Sequence, residues 1–410
     1  MGALDRLDRD TFALASRTRL SRIESAAVLL CLDDGTPVEK AEASEGFWHG
    51  CGSAEGGGGL VRQVGEGANR FFDKSIQLIV TNNGKAGLLG EHSMMDGMPM
   101  LAYADAILSK TYAAVVAASK AASASSSSSS SSARRLSPPP PPPPPDVAVR
   151  PIFSADVAQS LRLSAVVDHA VSRSLASLSS VVSKQELSVL SFLAFGASFA
   201  KKEGFSPDAL VQVAIQLATY RLYGEVSATY EATQVRQFKH GRTETTRGCS
   251  LESRAFVETM GPSPKGDETV DETRADKVEK LKSAVEAHVK YMAAAAKGQA
   301  IDRHLLGMRL LVEDEGKCPS MFKHPLYARA KTWRVSTSHL THSKFDNWGW
   351  GEVEPDGVGI AYSIGDNRCT FNVTAMRDRK LARPLAHLLE EALLEIRDLL
   401  DLERMGKSKL

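Results

Sequence analysis

Eight consecutive prolines at 138–145 most constrain what this chain can fold into. Proline lacks a backbone N–H and has φ fixed near −65°, so such a run fits neither a helix interior nor a central strand. It takes up an extended polyproline geometry. Eight serines at 125–132 precede it and should be flexible by composition. Neither run can bury a core, so folded units must lie on either side. The proline run could dock an SH3 or WW groove, but its plainer role is a linker. The chain has 410 residues, 43% of them apolar, enough for two or three domain-sized cores.

A net charge of +1 gives no reason to expect a nucleic acid as the main partner. The five cysteines (31, 51, 249, 318, 369) are scattered, with no CxxC pair. That pattern points to a reduced, intracellular setting and away from a zinc site. No run reaches the roughly 18 to 20 apolar residues that span a bilayer, so no transmembrane segment is expected. The charged start "MGALDRLDRD" has no apolar signal region. Arg6 stands where a myristoylation signal wants Ser or Thr. The last three residues, Ser408-Lys409-Leu410, match a peroxisomal address read by an import receptor. The "GGGG" at 56–59 lacks the trailing Lys-Ser/Thr of a phosphate loop and reads as a surface loop.

Before the insert, "TFALASRTRLSRIESAAVLLCLDDG" reads as a helix, a loop and a buried strand over 26–32. "SIQLIVTNNGKAGLLGEHS" reads as two strands joined at Asn83-Gly84, a pair that accepts the positive φ a tight hairpin needs. "MPMLAYADAILSKTYAAVVAASKAA" has helical periodicity. After the insert come an amphipathic helix over 156–179, a short apolar run and a basic loop. A helix follows with Ser206 as cap, Pro207 in first position and Asp208 at its positive end. Two further helices, alternating strands from "TWRVSTS" to "CTFNVTA", and a final amphipathic helix complete the chain. Helices mixed with non-adjacent strands imply a layered α/β or α+β architecture.

Three segments could carry chemistry. In "GLLGEHSMMDGMP", His92 sits among glycines with Asp96 four residues on. A histidine there can act as a general base near neutral pH, with Asp96 orienting the ring. Alone, it reads more simply as a loop histidine, and no further ligand stands at metal-binding spacing. "ATYEATQVRQFKHGRTETTRG" is crowded with hydroxyls and cations, including Arg236, Lys239, His240, Arg242 and Arg247. It could line an anionic-substrate pocket, or be a solvated charged loop. "STSHLTHSKFDNWGWGEVEPDGVGIAYS" alternates tryptophan with glycine. Its aromatic walls suit a quaternary ammonium, or a core beside turns.

Taken in this order, with "FSPDALVQVAIQLATYRLYG" and "IDRHLLGMRL", these blocks resemble the carnitine/choline acyltransferase family over nearly the whole chain except the insert. The "EHSMMDG" and "WGWG" wording and the SKL end look most like its fungal-type carnitine acetyl-transferring members. The resemblance implies a reversible transfer of a short acyl group between coenzyme A and the 3-hydroxyl of carnitine, with no acyl-enzyme. His92 would be the general base, Asp96 its acidic partner, and Ser338 the hydroxyl supporting the oxyanion. Tyr230, Thr243 and a buried Arg303 would meet the carnitine carboxylate, with Trp350 near the trimethylammonium. Lys201, Lys202, Ser206, Asp208 and His339 would meet CoA, and Trp348 would block long acyl chains. No metal or resident cofactor is implied; CoA or acetyl-CoA is a co-substrate.

The resemblance also implies two halves, each like chloramphenicol acetyltransferase, with the site in a tunnel between them. On that pattern residues 1–122 form a partial histidine-bearing half and 123–146 the insert. Residues 147–407 form the second half, with CoA and carnitine segments, and 408–410 the targeting tripeptide. The first half looks shorter than the family pattern, which leaves a non-catalytic remnant binding CoA or a partner as the alternative. The expected location is peroxisomal, or mitochondrial if a presequence lies upstream. Ala197, Ala232, Val289 and His339 stand where the family pattern has a lysine, a hydroxyl, a basic residue and a glutamine. Each could weaken CoA or carnitine affinity without touching the base.

Overall fold

The computed structural model describes residues 21–50, 65–125, 165–262 and 273–407. The proline run, most of the serine run, the glycine patch at 56–59, the helix before residue 21 and the terminal Ser408-Lys409-Leu410 lie outside the described residues. The chain divides into two compact units. Among the described residues, 21–36, 65–125 and 165–179 belong to the first, and 37–50, 180–262 and 273–407 to the second. This differs from a junction at 123–146. Residues 165–179 cluster with the first unit, and helix α1, Lys40–His49, with the second.

The first unit holds a three-stranded sheet of β1 (Leu29–Asp33), β2 (Ile76–Thr81) and β3 (Ala86–Gly90). β1 runs parallel to β2, and β2 antiparallel to β3. Apolar, β-branched sequence makes the strands, but β1 is not the buried strand expected. Its side chains alternate, with Cys31 and Asp33 covered while Leu30 and Leu32 are 57% and 69% exposed. The reason is period-2 geometry with only one face of this strand covered. At its end Asp33 makes a buried two-pronged pair with Arg70, at 2.9 and 2.6 Å, and accepts a third bond from Asn69. The hairpin turn takes positive φ at Gly84 alone (+80°), where a side chain would be strained.

Helix α2, Gly97–Ser125, follows the hairpin. Its stretch 97–117 is, by length and composition, long and apolar enough to cross a membrane. Alanines carry it there despite Asp105 and Lys110, which is why a search for an unbroken apolar run passes over it. Helix α3, Ala165–Val182, leads to the second unit.

There, six strands lie in the order β4-β9-β8-β7-β5-β6: β4 (Gln185–Phe192), β5 (Thr229–Gln234), β6 (Thr243–Arg247), β7 (Val335–His339), β8 (Val358–Ile364) and β9 (Cys369–Met376). β7 is parallel to both neighbours, and the other pairs are antiparallel. The stretch 229–247 is a paired hairpin: Arg247 lies on β6, while Arg236, Lys239, His240 and Arg242 are exposed in the connection between the strands. The expected basic loop is the short helix α4, Ala197–Lys202. Helix α5, Pro207–Tyr223, starts as the sequence predicts: Ser206 Oγ accepts from the Ala209 N–H, and Pro207 needs no partner in the first turn. From Ala209 to Thr219 every residue of α5 is buried.

Helices α6 (Leu251–Met260), α7 (Arg274–Ala296) and α8 (Asp302–Leu310) follow, and α9 (Ala382–Lys407) closes the chain. α5 packs against α6, α7 and α9. Phe192, Phe256, Phe371, Ile360, Leu385 and Leu389 are almost fully buried in one continuous core.

Candidate active site

Each unit carries its own group of candidate residues. In the first, β3 ends at Gly90 and α2 begins at Gly97, so His92 sits in the connection between a strand and a helix. Its Nδ1 lies 2.6 Å from the Met95 carbonyl oxygen. A carbonyl only accepts, so Nδ1 carries the proton and Nε2 is left with its lone pair, the arrangement a base requires. Asp96 stands 3.8 Å from Nδ1. The sequence pointed to Asp96 as the orienting group. The backbone carbonyl of Met95, which no side-chain pattern reveals, makes the closer contact. The imidazole is 74% exposed.

In the second unit, alternation along paired strands sorts side chains onto two faces. Tyr230 is in register with Ser336, and Gln234 with Thr243. Tyr230, Thr243, Ser336 and Ser338 therefore share one face. Arg303, at the start of α8, reaches that group. Its Nε donates to the Thr243 carbonyl at 3.0 Å, and Nη2 to the Tyr230 and Thr243 hydroxyls, both at 3.3 Å. Nη1 takes part in none of these bonds. The structure brings together the three residues expected to hold a carboxylate, but Arg303 is exposed rather than buried, because α8 buries no residue.

The WGWG segment lies along β8 and β9. The Trp348 indole N–H donates to the Tyr362 carbonyl at 3.1 Å, and the Trp350 carbonyl accepts from Thr374 at 2.8 Å. The two rings are 5.2 Å apart and tilted by 46°. A Cβ at position 349 would sit 2.8 Å from the Asn372 amide carbon, so glycine is what lets this segment approach the sheet.

The residues expected to meet CoA divide. Lys201 and Lys202 are exposed in the last turn of α4, and Ser206 caps α5. Asp208 and His339 instead face each other, with His339 Nδ1 3.1 Å from the carboxylate. The Tyr362 hydroxyl also donates to Asp208, at 2.8 Å. Burial works to raise the Asp208 carboxyl, but the hydrogen bonds from His339 and Tyr362 and the nearby histidine charges outweigh it and hold it below the usual carboxylate range. Burial, together with the charges of Asp208 and Glu231, raises Tyr362 well above its ordinary value, so its hydroxyl remains a donor.

Beside this pair lies one that sequence reasoning missed. His288 Nε2 contacts Glu231 at 2.6 Å, both side chains nearly fully buried. Burial pushes the Glu231 carboxyl up to about 6, the charge of Asp208 adds to this, and the His288 bond offsets only part of it. Asp208, Glu231 and His288 could offer a cation three donor atoms within 4.8 Å of one another. The direct 2.6 Å contact is a short hydrogen bond between Glu231 and His288. The three residues come from α5, β5 and α7, so no spacing in the sequence announces them.

The sequence pattern of the Choline/Carnitine o-acyltransferase family matches residues 8–391. The chain belongs to this family. It is 33% identical to mouse carnitine O-acetyltransferase over 98% of its own length and 59% of that protein. It is 31% identical to the mitochondrial carnitine O-acetyltransferase of Saccharomyces cerevisiae, over 96% of this chain and 53% of that one. Rat choline O-acetyltransferase matches at 29% identity over 96% of this chain and 56% of that one. The chain therefore spans a little over half the length of these relatives. The family is one of acyltransferases, and the mixed α/β architecture expected from the sequence is observed.

Proposed function

We propose that this chain carries the working parts of a carnitine O-acetyltransferase. The observation that carries this reading is the convergence of Tyr230, Thr243 and Arg303. A guanidinium fixed between two hydroxyls is a carboxylate receptor. Carnitine has a carboxylate and choline has none, so the site favours carnitine within this family. His92 Nε2 takes the proton from the carnitine hydroxyl. The alkoxide attacks the acyl carbon of acyl-CoA, the C–S bond breaks, and the imidazolium returns its proton to the leaving thiolate. In reverse, the CoA thiol gives up the proton. Ser338 donates to the oxyanion, Trp350 faces the trimethylammonium, and Trp348 limits the acyl group to short chains. Lys201 and Lys202 answer the CoA phosphates together with the N-terminus of α5. The terminal SKL is the ground for a peroxisomal address.

The test is release of CoA from acetyl-CoA plus carnitine by the full chain. His92→Ala should lower it by about 10²- to 10⁴-fold, the range for loss of a general base. Unchanged release would refute the reading. The second reading is a non-catalytic protein that binds CoA or a partner. A chain without turnover that still binds CoA or a partner would establish that alternative.

A further inference from the structure

Helix α5 is buried on all sides, yet it carries a polar residue every fourth position: Asp208, Gln212 and Gln216. That spacing puts all three on one stripe. The stripe faces the sheet. Asp208 meets His339 and Tyr362. Gln212 Nε2 donates to the Thr337 hydroxyl at 2.9 Å and the Tyr362 hydroxyl at 2.8 Å. Gln216 Nε2 donates to the Thr229 hydroxyl at 3.1 Å.

The distances explain the fit. Four residues of helix rise about 6 Å, and two residues of strand about 6.6 Å. Asp208 and Gln212 on α5 therefore match His339 and Thr337 on β7, one rung each. His339 is also stacked on Tyr362, its register partner on β8, with centroids 5.1 Å apart and planes 5° from parallel. Tyr362 is fully buried. The His339 ring is thus held from two sides, by a carboxylate on the helix and an aromatic face on the next strand.

Ser338 lies between the two anchored residues, on the opposite face of β7. With Thr337 and His339 both tied to α5, the strand end cannot roll about its axis, and the Cα–Cβ direction of Ser338 is set. We propose that His339 is a positioning residue: bonded to Asp208 on the covered face of the sheet, it aims the Ser338 hydroxyl on the other face. This rests on the reading of Ser338 as the oxyanion donor. It also gives Asp208 and His339 a task other than contact with CoA.

A double-mutant cycle tests it in the full chain, read as kcat and as KM for carnitine. His339→Ala should lower kcat about tenfold, less than the roughly 10²- to 10³-fold typical for losing an oxyanion donor outright. KM for carnitine should stay within about twofold, because the carboxylate residues sit on other elements. His339→Gln, which keeps a side-chain donor for Asp208, should recover most of the loss. In a Ser338→Ala background, His339→Ala should cost less than about twofold, since there is no hydroxyl left to aim. The full tenfold loss in that background would overturn the proposal.

A second measurement is independent of turnover. Amide hydrogen exchange at Ser338 and His339 should speed up about tenfold or more in His339→Ala, with exchange in β9 unchanged. Unchanged exchange at the end of β7 would overturn the proposal even in a protein with no measurable acyl transfer. Lack of turnover in the wild type, with His339→Ala loosening the strand end as stated, would count against the enzymatic reading alone.

Discussion

The two units place a candidate functional side chain near the end of a strand by unequal means. In the first, His92 follows a three-stranded sheet and is oriented by local contacts within four residues, to Met95 and Asp96. In the second, Ser338 is the penultimate residue of a strand inside a six-stranded sheet, and its neighbours are tied to a helix more than a hundred residues away in sequence. One group is fixed by chain geometry, the other by tertiary packing. The first arrangement needs few residues. The second depends on the whole layer beneath it.

The sharpest way to break this comparison is to damage each unit's interior. Phe371→Ala removes a fully buried ring from β9 and should cost about 3–5 kcal/mol in denaturant unfolding. The chemical environment of His92, followed by NMR, should change little, because its contacts are local. Asp33→Ala strands the buried Arg70 guanidinium and should cost about as much, roughly 3–5 kcal/mol. Its effect on amide exchange should be confined to β1 and β2. Spread of that effect into β7 would show that the two units do not unfold separately.

A smaller contrast concerns pH. Glu231 is raised to about 6, above its ordinary 4.5, so the native state holds that proton more tightly than the unfolded chain does. The stability this gives is present below about 4.5 and is lost as pH rises through about 6, on the order of 1 to 2 kcal/mol. Glu231→Gln should remove the slope between those values from urea unfolding midpoints of the second unit. An unchanged slope would sink the assignment. The smallest effect belongs to the exposed face of β1: Leu32→Ser should change stability by no more than about 0.5 kcal/mol. A larger loss would mean that this face is covered in solution.

Local rules made much of this legible. The Ser206-Pro207 start of α5, the hairpin at Gly84 and the long final helix follow from capping, turn and periodicity signals over a few residues. Tyr230, Thr243 and Arg303, grouped by the family resemblance, are hydrogen-bonded to one another in the structure. The misses in the second sheet share a cause. The paired strands within 229–247 escape a composition reading because Glu231, Thr233, Glu244 and Thr246 are polar residues buried on their inner face. Composition reads polarity as exposure, but Glu231 and Glu244 meet partners from elsewhere in the chain, and Thr233 and Thr246 bond to each other across the hairpin. The pairs Glu231–His288 and Asp208–His339 were invisible for the same reason.

The stripe on α5 has a consequence for how the helix finds its seat. A slip by one turn, about 5.4 Å, would carry Gln212 opposite His339 and Gln216 opposite Thr337. Glutamine can bond to either, so the two amides alone tolerate the wrong docking depth. Asp208 breaks that degeneracy. Only in the native seat does its charge meet a histidine instead of leaving the sheet altogether. One carboxylate thus distinguishes the correct register from its nearest counterfeit.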